Sequence, residues 1–336
     1  MSKAPPSIAA TSTLAMVRTA EARGVRTADL LEEAGISRAS LDDPDARLPG
    51  PVVLSIWNAL RDRTADPVLQ LTAPVSLPFG AYRVIDYLVA ASATVGDGVR
   101  RFARFFRLIA DAVTLEVRRT GHEYQLCLER SDGGAVPPVY VDYVFAALVG
   151  RTRMRIRPDL RVLRVDLRQP APQATAPYVE VFRAPVRFGA DADRLCFTEE
   201  EWNAPTESGD AALARLLEEH ARILAQRIPQ APPGFRTEVQ KAIASTLPEG
   251  GSAVEVARAL HVSVRTLQRK LVEIGTTFRE MSDSVRAQLA EEYLTDPQVS
   301  IAEVAFLLGF SDQSAFHRAF RRRTGESPGR WRRRRG

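Results

Sequence analysis

An internal repeat constrains this chain more than any other feature. The segment SAVEVARALHVSVRTLQRKL, residues 252–271, is restated by SIAEVAFLLGFSDQSAFHRAF, residues 300–320. Val256, Ala257 and Leu260 correspond to Val304, Ala305 and Leu308 at an offset of 48, and Ser263 to Ser311. Past that serine the match improves at an offset of 49, pairing Leu267 with Phe316, Arg269 with Arg318 and Leu271 with Phe320. The second copy therefore has one extra residue in its turn. Two short apolar-periodic runs joined by a turn read as a helix-turn-helix, and the chain has two of them.

In each copy the first helix needs a small residue where the helices cross, supplied by Ala257 and Ala305. Ser263 and Ser311 are placed to cap the second helices, and Gly309 suits the tight turn. Apolar positions 267 and 271, or 316 and 320, face inward at i, i+4. That spacing leaves Arg265, Gln268 and Arg269, or Gln313, Ser314, His317 and Arg318, pointing away. These residue types read base edges and phosphates: Arg pairs with guanine, Gln with adenine, hydroxyls with phosphate. With Thr266 and Arg321 on the same helices, the expected DNA-binding set is Ser263, Arg265, Thr266, Gln268, Arg269, Ser311, Gln313, Ser314, His317, Arg318 and Arg321.

Charge points the same way. Residues 235–336 hold 17 Lys and Arg against 12 Asp and Glu, so the whole excess of +5 lies there. The final twenty residues carry nine Arg and one acid, Glu326, the asymmetry of a nucleic-acid-facing end. A length of 336 residues suggests two domains, and RIPQAPPGFR at 227–236, with three prolines, marks the join. The expected division is a domain over 1–227, a linker over 228–234 and a DNA-binding domain over 235–333. No apolar run is long enough to span a membrane and no signal-peptide core is present, so a cytoplasmic chain is expected. Cys127 and Cys196 stand in no metal-ligand or redox spacing, and the four His are scattered, so neither metal nor cofactor is expected.

Residues 235–333 resemble the DNA-binding domain of the AraC/XylS family. The second unit's SIAEVAFLLGFSDQSAFHRAFRRRTGESP and the first unit's VSVRTLQRKL carry the resemblance. It implies two helix-turn-helix units joined by a long helix, here about 282–295, with both recognition helices in adjacent major-groove segments. Where that family often has a tyrosine after Ser-Pro, this chain has Trp331 followed by four arginines. That tail, with no helix expected to aim it, should contact phosphates without reading bases.

Residues 1–234 resemble the non-cupin, arabinose-binding-type N-terminal domain of one branch of the family, through LLEEAGISRASLDDPDARLP, SATVGDGVRRFARFFRLIADAVTLEV and YVEVFRAPVRFGADADRLCFTEEEWNAP. Helix signals dominate to about residue 110, with Thr27, Ser37 and Thr94 as caps and Gly24 and Gly35 as stops. Strand-like alternation follows in AVTLEVRR, EYQLCLE, RVLRVDLR and RLCF, with the helix VYVDYVFAALVGRTRMRI between the second and third. The expected fold is an α+β effector domain with a small sheet, followed by an all-α domain of two helix-turn-helix units. TADLLEEAGISRASL mimics a third unit, but Glu32, Glu33, Asp42, Asp43 and Asp45 would repel phosphate.

No nucleophile, metal-protease or nucleotide-loop motif supports catalysis. Tyr124, Tyr140 and Tyr143 are candidates to line a pocket, with Arg104 or Arg107 for an acidic ligand, against the plainer reading as core. Leu213, Leu217, His220, Leu224 and Ile228 form a stripe that is either a dimer seam or a packing face. The chain thus reads as a transcription regulator of promoter DNA controlled by a small-molecule effector, homodimeric, working with RNA polymerase. The rival reading is a constitutive architectural DNA binder whose first domain only assembles chains.

Overall fold

The computed structural model describes residues 6–228, 235–273, 276–295 and 299–335, so residues 229–234 of the expected linker lie outside it. Two compact units emerge, the body of the first ending with the helix Ala211–Arg227 and the second opening with the helix Phe235–Thr246.

In the first unit, β1 (Ser7–Ala9) pairs antiparallel with β2 (Arg47–Pro49). A larger sheet contains β3 (Val113–Thr120), β4 (Glu123–Arg130), β5 (Arg164–Leu167), β6 (Val186–Phe188) and β7 (Arg194–Thr198), in the order β3-β4-β7-β5-β6. All its pairs are antiparallel except β5 with β6. The four strands legible in the sequence are present, and so is the helix between the second and third of them, Pro138–Arg155. Strands β1, β2 and β6 were not legible, because three residues are too few to show alternation. Ser37 and Thr94 cap their helices through Ser40 and Asp97 backbone N–H groups, whereas the Thr27 hydroxyl donates to Glu21 instead. The imitation of a third helix-turn-helix resolves into short helices Ala28–Glu33 and Arg38–Asp42, which sink Leu30, Leu31 and Leu41 into the domain core.

The helix Pro138–Arg155 is buried on nearly every side, so its polar residues must be satisfied internally. Arg151 manages this completely. Its Nε and Nη2 donate to the Asp86 carboxylate at 2.9 and 2.5 Å, and its remaining N–H groups reach the carbonyls of Pro74, Leu77 and Pro78. Asp86 in turn accepts from the backbone N–H groups of Gly80 and Tyr82. Cys127 and Cys196 are buried thiols, pushed up by burial to about 11 and about 12 and thus inert as nucleophiles near neutrality.

Nearer the start of the same helix, Asp142 accepts from Gln70, Gln169 and Tyr178 at 2.9, 2.7 and 2.7 Å. Burial outweighs those donors and lifts its pKa to about 6 from an ordinary 3.8. The unfolded chain then ionises first as pH rises, so the stability present below pH 3.8 is lost on approaching pH 6. Asp142→Asn mimics the protonated acid. Its melting temperature relative to the parent should therefore climb between pH 4.5 and pH 7, by the equivalent of about 2 kcal/mol. A difference independent of pH would show that Asp142 does not titrate in this range.

The second unit is all helical and built on one core of Val239, Ile243, Leu247, Val256, Leu267, Leu271, Val304, Leu308, Phe316, Phe320 and Trp331. Its long central helix runs Phe278–Thr295, about where the resemblance placed it. Among the described residues no helix is long and apolar enough to cross a membrane.

Candidate nucleic-acid interface

Each repeat folds as two helices, Ala253–Ala259 with Val264–Glu273, and Ile301–Leu307 with Gln313–Thr324. The first helices open with matching capping boxes, Ser252 with Glu255 and Ser300 with Glu303. Those hydrogen bonds hold both carboxyls below their ordinary values. Ala257 and Ala305 are both buried to 2% exposure, as expected at a close crossing. The turns also agree: Val262 donates to the Ala257 carbonyl and Phe310 to that of Ala305, each at 3.0 Å. Both turns pass through the left-handed region, at His261 (φ 54°) and Gly309 (φ 73°).

The offset changes just after these residues, and one expected pairing changes with it. Ser263 caps the first recognition helix, accepting from the Thr266 N–H at 3.1 Å. In the second unit the cap is Asp312, which accepts from the Ala315 N–H at 2.7 Å. Ser311 is the inserted residue, and its hydroxyl donates to Asp312. The pairing of Ser311 with Ser263, and the capping role given to Ser311, are thus corrected. A serine matched a serine in the sequence, but hydrogen-bond geometry places Asp312 in the equivalent position. That bond holds the Asp312 carboxyl below its ordinary range.

Leu267, Leu271, Phe316 and Phe320 face the core, and the outward residues follow at helical spacing. Arg265, Gln268 and Arg269 are exposed, as are Gln313, Ser314, Arg318 and Arg321; Ser263 and Ser311 flank them and Thr266 is half-buried. His317 differs from the expectation: it is half-buried, and its Nε2 is enclosed without a hydrogen-bond partner among the described residues. Its ring lies edge-on to Phe316. Arg269 is held by Glu273 one turn on, at 2.7 Å. Offset 49 aligns Arg321 with Val272, which is 70% exposed on the same outward face.

Two arginines outside the expected set hold the units in place. Arg286, on the central helix, donates to the Leu308 carbonyl, the Ser282 hydroxyl and the Gly250 carbonyl at 3.1, 2.9 and 3.3 Å. It thereby ties the end of one unit's first helix to the approach of the other. Burial lowers its pKa, which stays far above neutrality because an arginine is effectively always charged. Arg332 corrects the reading of the tail. Pro328–Arg335 is helical, and Arg332 donates to the carbonyls of Leu294 and Val299 at 3.1 and 2.7 Å. It closes the end of the central helix, while Arg333 is exposed. Sequence gave no signal for either role, because an arginine on an amphipathic helix ordinarily reads as solvated.

In the N-terminal unit, Arg104 pairs with Glu218 and Arg107 donates to the Ile228 carbonyl, so neither waits for an acidic ligand. Tyr124 stacks on Trp202 with ring centroids 4.4 Å apart. On the helix Ala211–Arg227, Ala214 and Ala221 are buried and Leu217 and Leu224 pack on the core, whereas Leu213, Leu216 and Ile223 are exposed. The expected stripe is therefore mainly a packing face, with a second apolar stripe beside it in solvent.

Comparison with known proteins agrees with both halves. Residues 24–206 match the family described as the arabinose-binding domain of AraC transcription regulator, and residues 256–334 match a helix-turn-helix domain family. The ornithine utilization regulator of Pseudomonas aeruginosa is 28% identical over 89% of this chain and 92% of its own length. The transcriptional regulator VirS of Mycobacterium tuberculosis is 37% identical over 26% of each chain. Among solved structures, transcriptional regulator CdpR from P. aeruginosa aligns over 94% of this chain and 97% of its own, with 23% identity and a TM-score of 0.43.

Proposed function

This chain belongs to the AraC family of transcription regulators with an arabinose-binding-type N-terminal domain, and from that premise we propose how it reads DNA and what controls it. The observation that carries the reading is the pair of exposed recognition faces mounted on one shared core. Arg265, Gln268 and Arg269 face one major-groove segment, with Ser263 and Thr266 at the helix start on phosphate. Gln313, Ser314, Arg318 and Arg321 face the next, with Ser311 on phosphate and His317 contributing from its edge. The aligned positions carry different chemistry, Arg265 against Ser314 and Val272 against Arg321, so the two half-sites differ in sequence. Val272 is suited to a thymine methyl group.

A small molecule bound by the N-terminal domain controls this binding, a homodimer forms through that domain, and the bound regulator acts on transcription through RNA polymerase in the cytoplasm. Arabinose and ornithine, the compounds named in the descriptions of the matching family and relative, serve as comparison probes for that effector. The exposed stripe of Leu213, Leu216 and Ile223 supports the dimer.

Selection of bound sites from random DNA should return one bipartite sequence, whereas an architectural binder would return none. Against that site, Arg269→Ala and Arg318→Ala should each weaken binding by roughly 1–3 kcal/mol with melting unchanged. Relaxed specificity should be confined to one half-site in each variant. Unchanged affinity for either variant would remove that residue from the reading set.

A further inference from the structure

The helices Val84–Ala90, Val95–Phe105 and Pro138–Arg155 contribute to a cavity with about 500 Å³ of empty space, its mouth included. Its walls are mostly aromatic and aliphatic, among them Phe79, Phe102, Ile109 and Leu148. A second hollow shares Val89, Leu148, Thr152 and Ile156 and extends toward Phe197. The lining suits a small organic molecule, since ligand pockets are walled mostly by hydrophobic and aromatic side chains with few polar groups.

The polar groups of this cavity decide what it can hold. Arg151 and Asp86 line it but spend their hydrogen-bonding capacity on each other and on backbone groups. The Tyr82 and Tyr143 hydroxyls bond each other. Tyr140 is the exception: it is 3% exposed, and its hydroxyl has no hydrogen-bond partner among the described residues. A buried hydroxyl without a partner is costly, and one kept in an apolar chamber marks where a ligand's polar atom docks.

We propose that this cavity is the small-molecule site of the N-terminal domain and takes a neutral, largely apolar molecule whose single hydrogen-bonding group meets the Tyr140 hydroxyl. The proposal rests on the reading that this domain senses a small molecule, and it names the chemical class. A carboxylate or ammonium would enter with no free counter-charge, since the Arg151–Asp86 pair lining the cavity is already closed. A sugar would bring more hydroxyls than Tyr140, Thr152 and the one O–H left over from the Tyr82–Tyr143 pair can satisfy. A compact alkyl or arylalkyl body matches the lining of the first hollow.

The test uses the full chain, thermal unfolding and calorimetric titration, with 4-propylphenol, 1-octanol, propylbenzene, octanoate, L-arabinose and L-ornithine as probes. The neutral phenol and alcohol should raise the melting temperature of the N-terminal domain; octanoate, arabinose and ornithine should not. Tyr140→Phe keeps the ring and removes the orphaned hydroxyl. It should melt no lower than the parent, bind 4-propylphenol about tenfold more weakly and bind propylbenzene unchanged. Ala147→Phe, which fills the cavity, should abolish binding of all neutral probes. Arabinose or ornithine stabilising more than the neutral probes, no neutral probe binding, or Tyr140→Phe binding 4-propylphenol normally would each overturn the proposal. Anisotropy of the selected DNA site in the same samples separates the two readings. Tyr140-dependent binding without any change in DNA affinity supports this site but defeats effector control; ornithine shifting both melting and DNA affinity does the reverse.

Discussion

Gly309→Ala should unfold or displace the second helix-turn-helix and abolish specific DNA binding, although no outward residue is touched. Two terms add. A non-glycine residue at a φ of 73° costs about 1–2 kcal/mol. More decisively, a Cβ at 309 would stand 2.1 Å from the Leu247 carbonyl oxygen, with backbone on both sides of the clash. The short turn Leu247–Glu249 or the repeat's own turn must then move, adding overpacking of about 1–3 kcal/mol or more. The first unit supplies the control. His261 holds the same left-handed conformation with a full side chain, so conformation alone does not require glycine; the space does. His261→Gly should fold normally and bind DNA. Native melting of Gly309→Ala in the full chain would show that the approach to Leu247 is looser than this.

The second large effect lies in the N-terminal domain. Arg151→Met should destabilise it by about 3–5 kcal/mol, because it strands the Asp86 carboxylate among apolar groups and frees three carbonyls. Arg151→Lys should rescue little, since one ammonium cannot reach the carbonyls of Pro74, Leu77 and Pro78 together with the carboxylate. Adding Asp86→Asn to Arg151→Met should recover part of the loss, because an amide oxygen can still accept from Gly80 and Tyr82 while no charge remains buried. Denaturant unfolding of the full chain measures this as a shift of the N-terminal transition. A full-stability Arg151→Met would mean that other donors or water replace the arginine at Asp86 in the native domain.

What the sequence determined by itself was whatever repeats locally. The 48-residue echo of Val256, Ala257 and Leu260 carries helix periodicity, and with it the outward faces of both second helices, because an i, i+4 apolar pair fixes which residues turn outward. Strands β3, β4, β5 and β7 were legible for the same reason, by alternation. Only the tertiary structure decided matters that depend on distant partners. It made Asp312 rather than Ser311 the cap, enclosed one nitrogen of His317, and turned Arg286 and Arg332 from solvated charges into ties on backbone carbonyls. It also joined Asp86 to Arg151 across 65 residues and left the Tyr140 hydroxyl without a partner among the described residues. A side chain's periodicity is set by its neighbours along the chain, but its hydrogen-bond partners are set by which elements pack against it, and no local pattern carries that information.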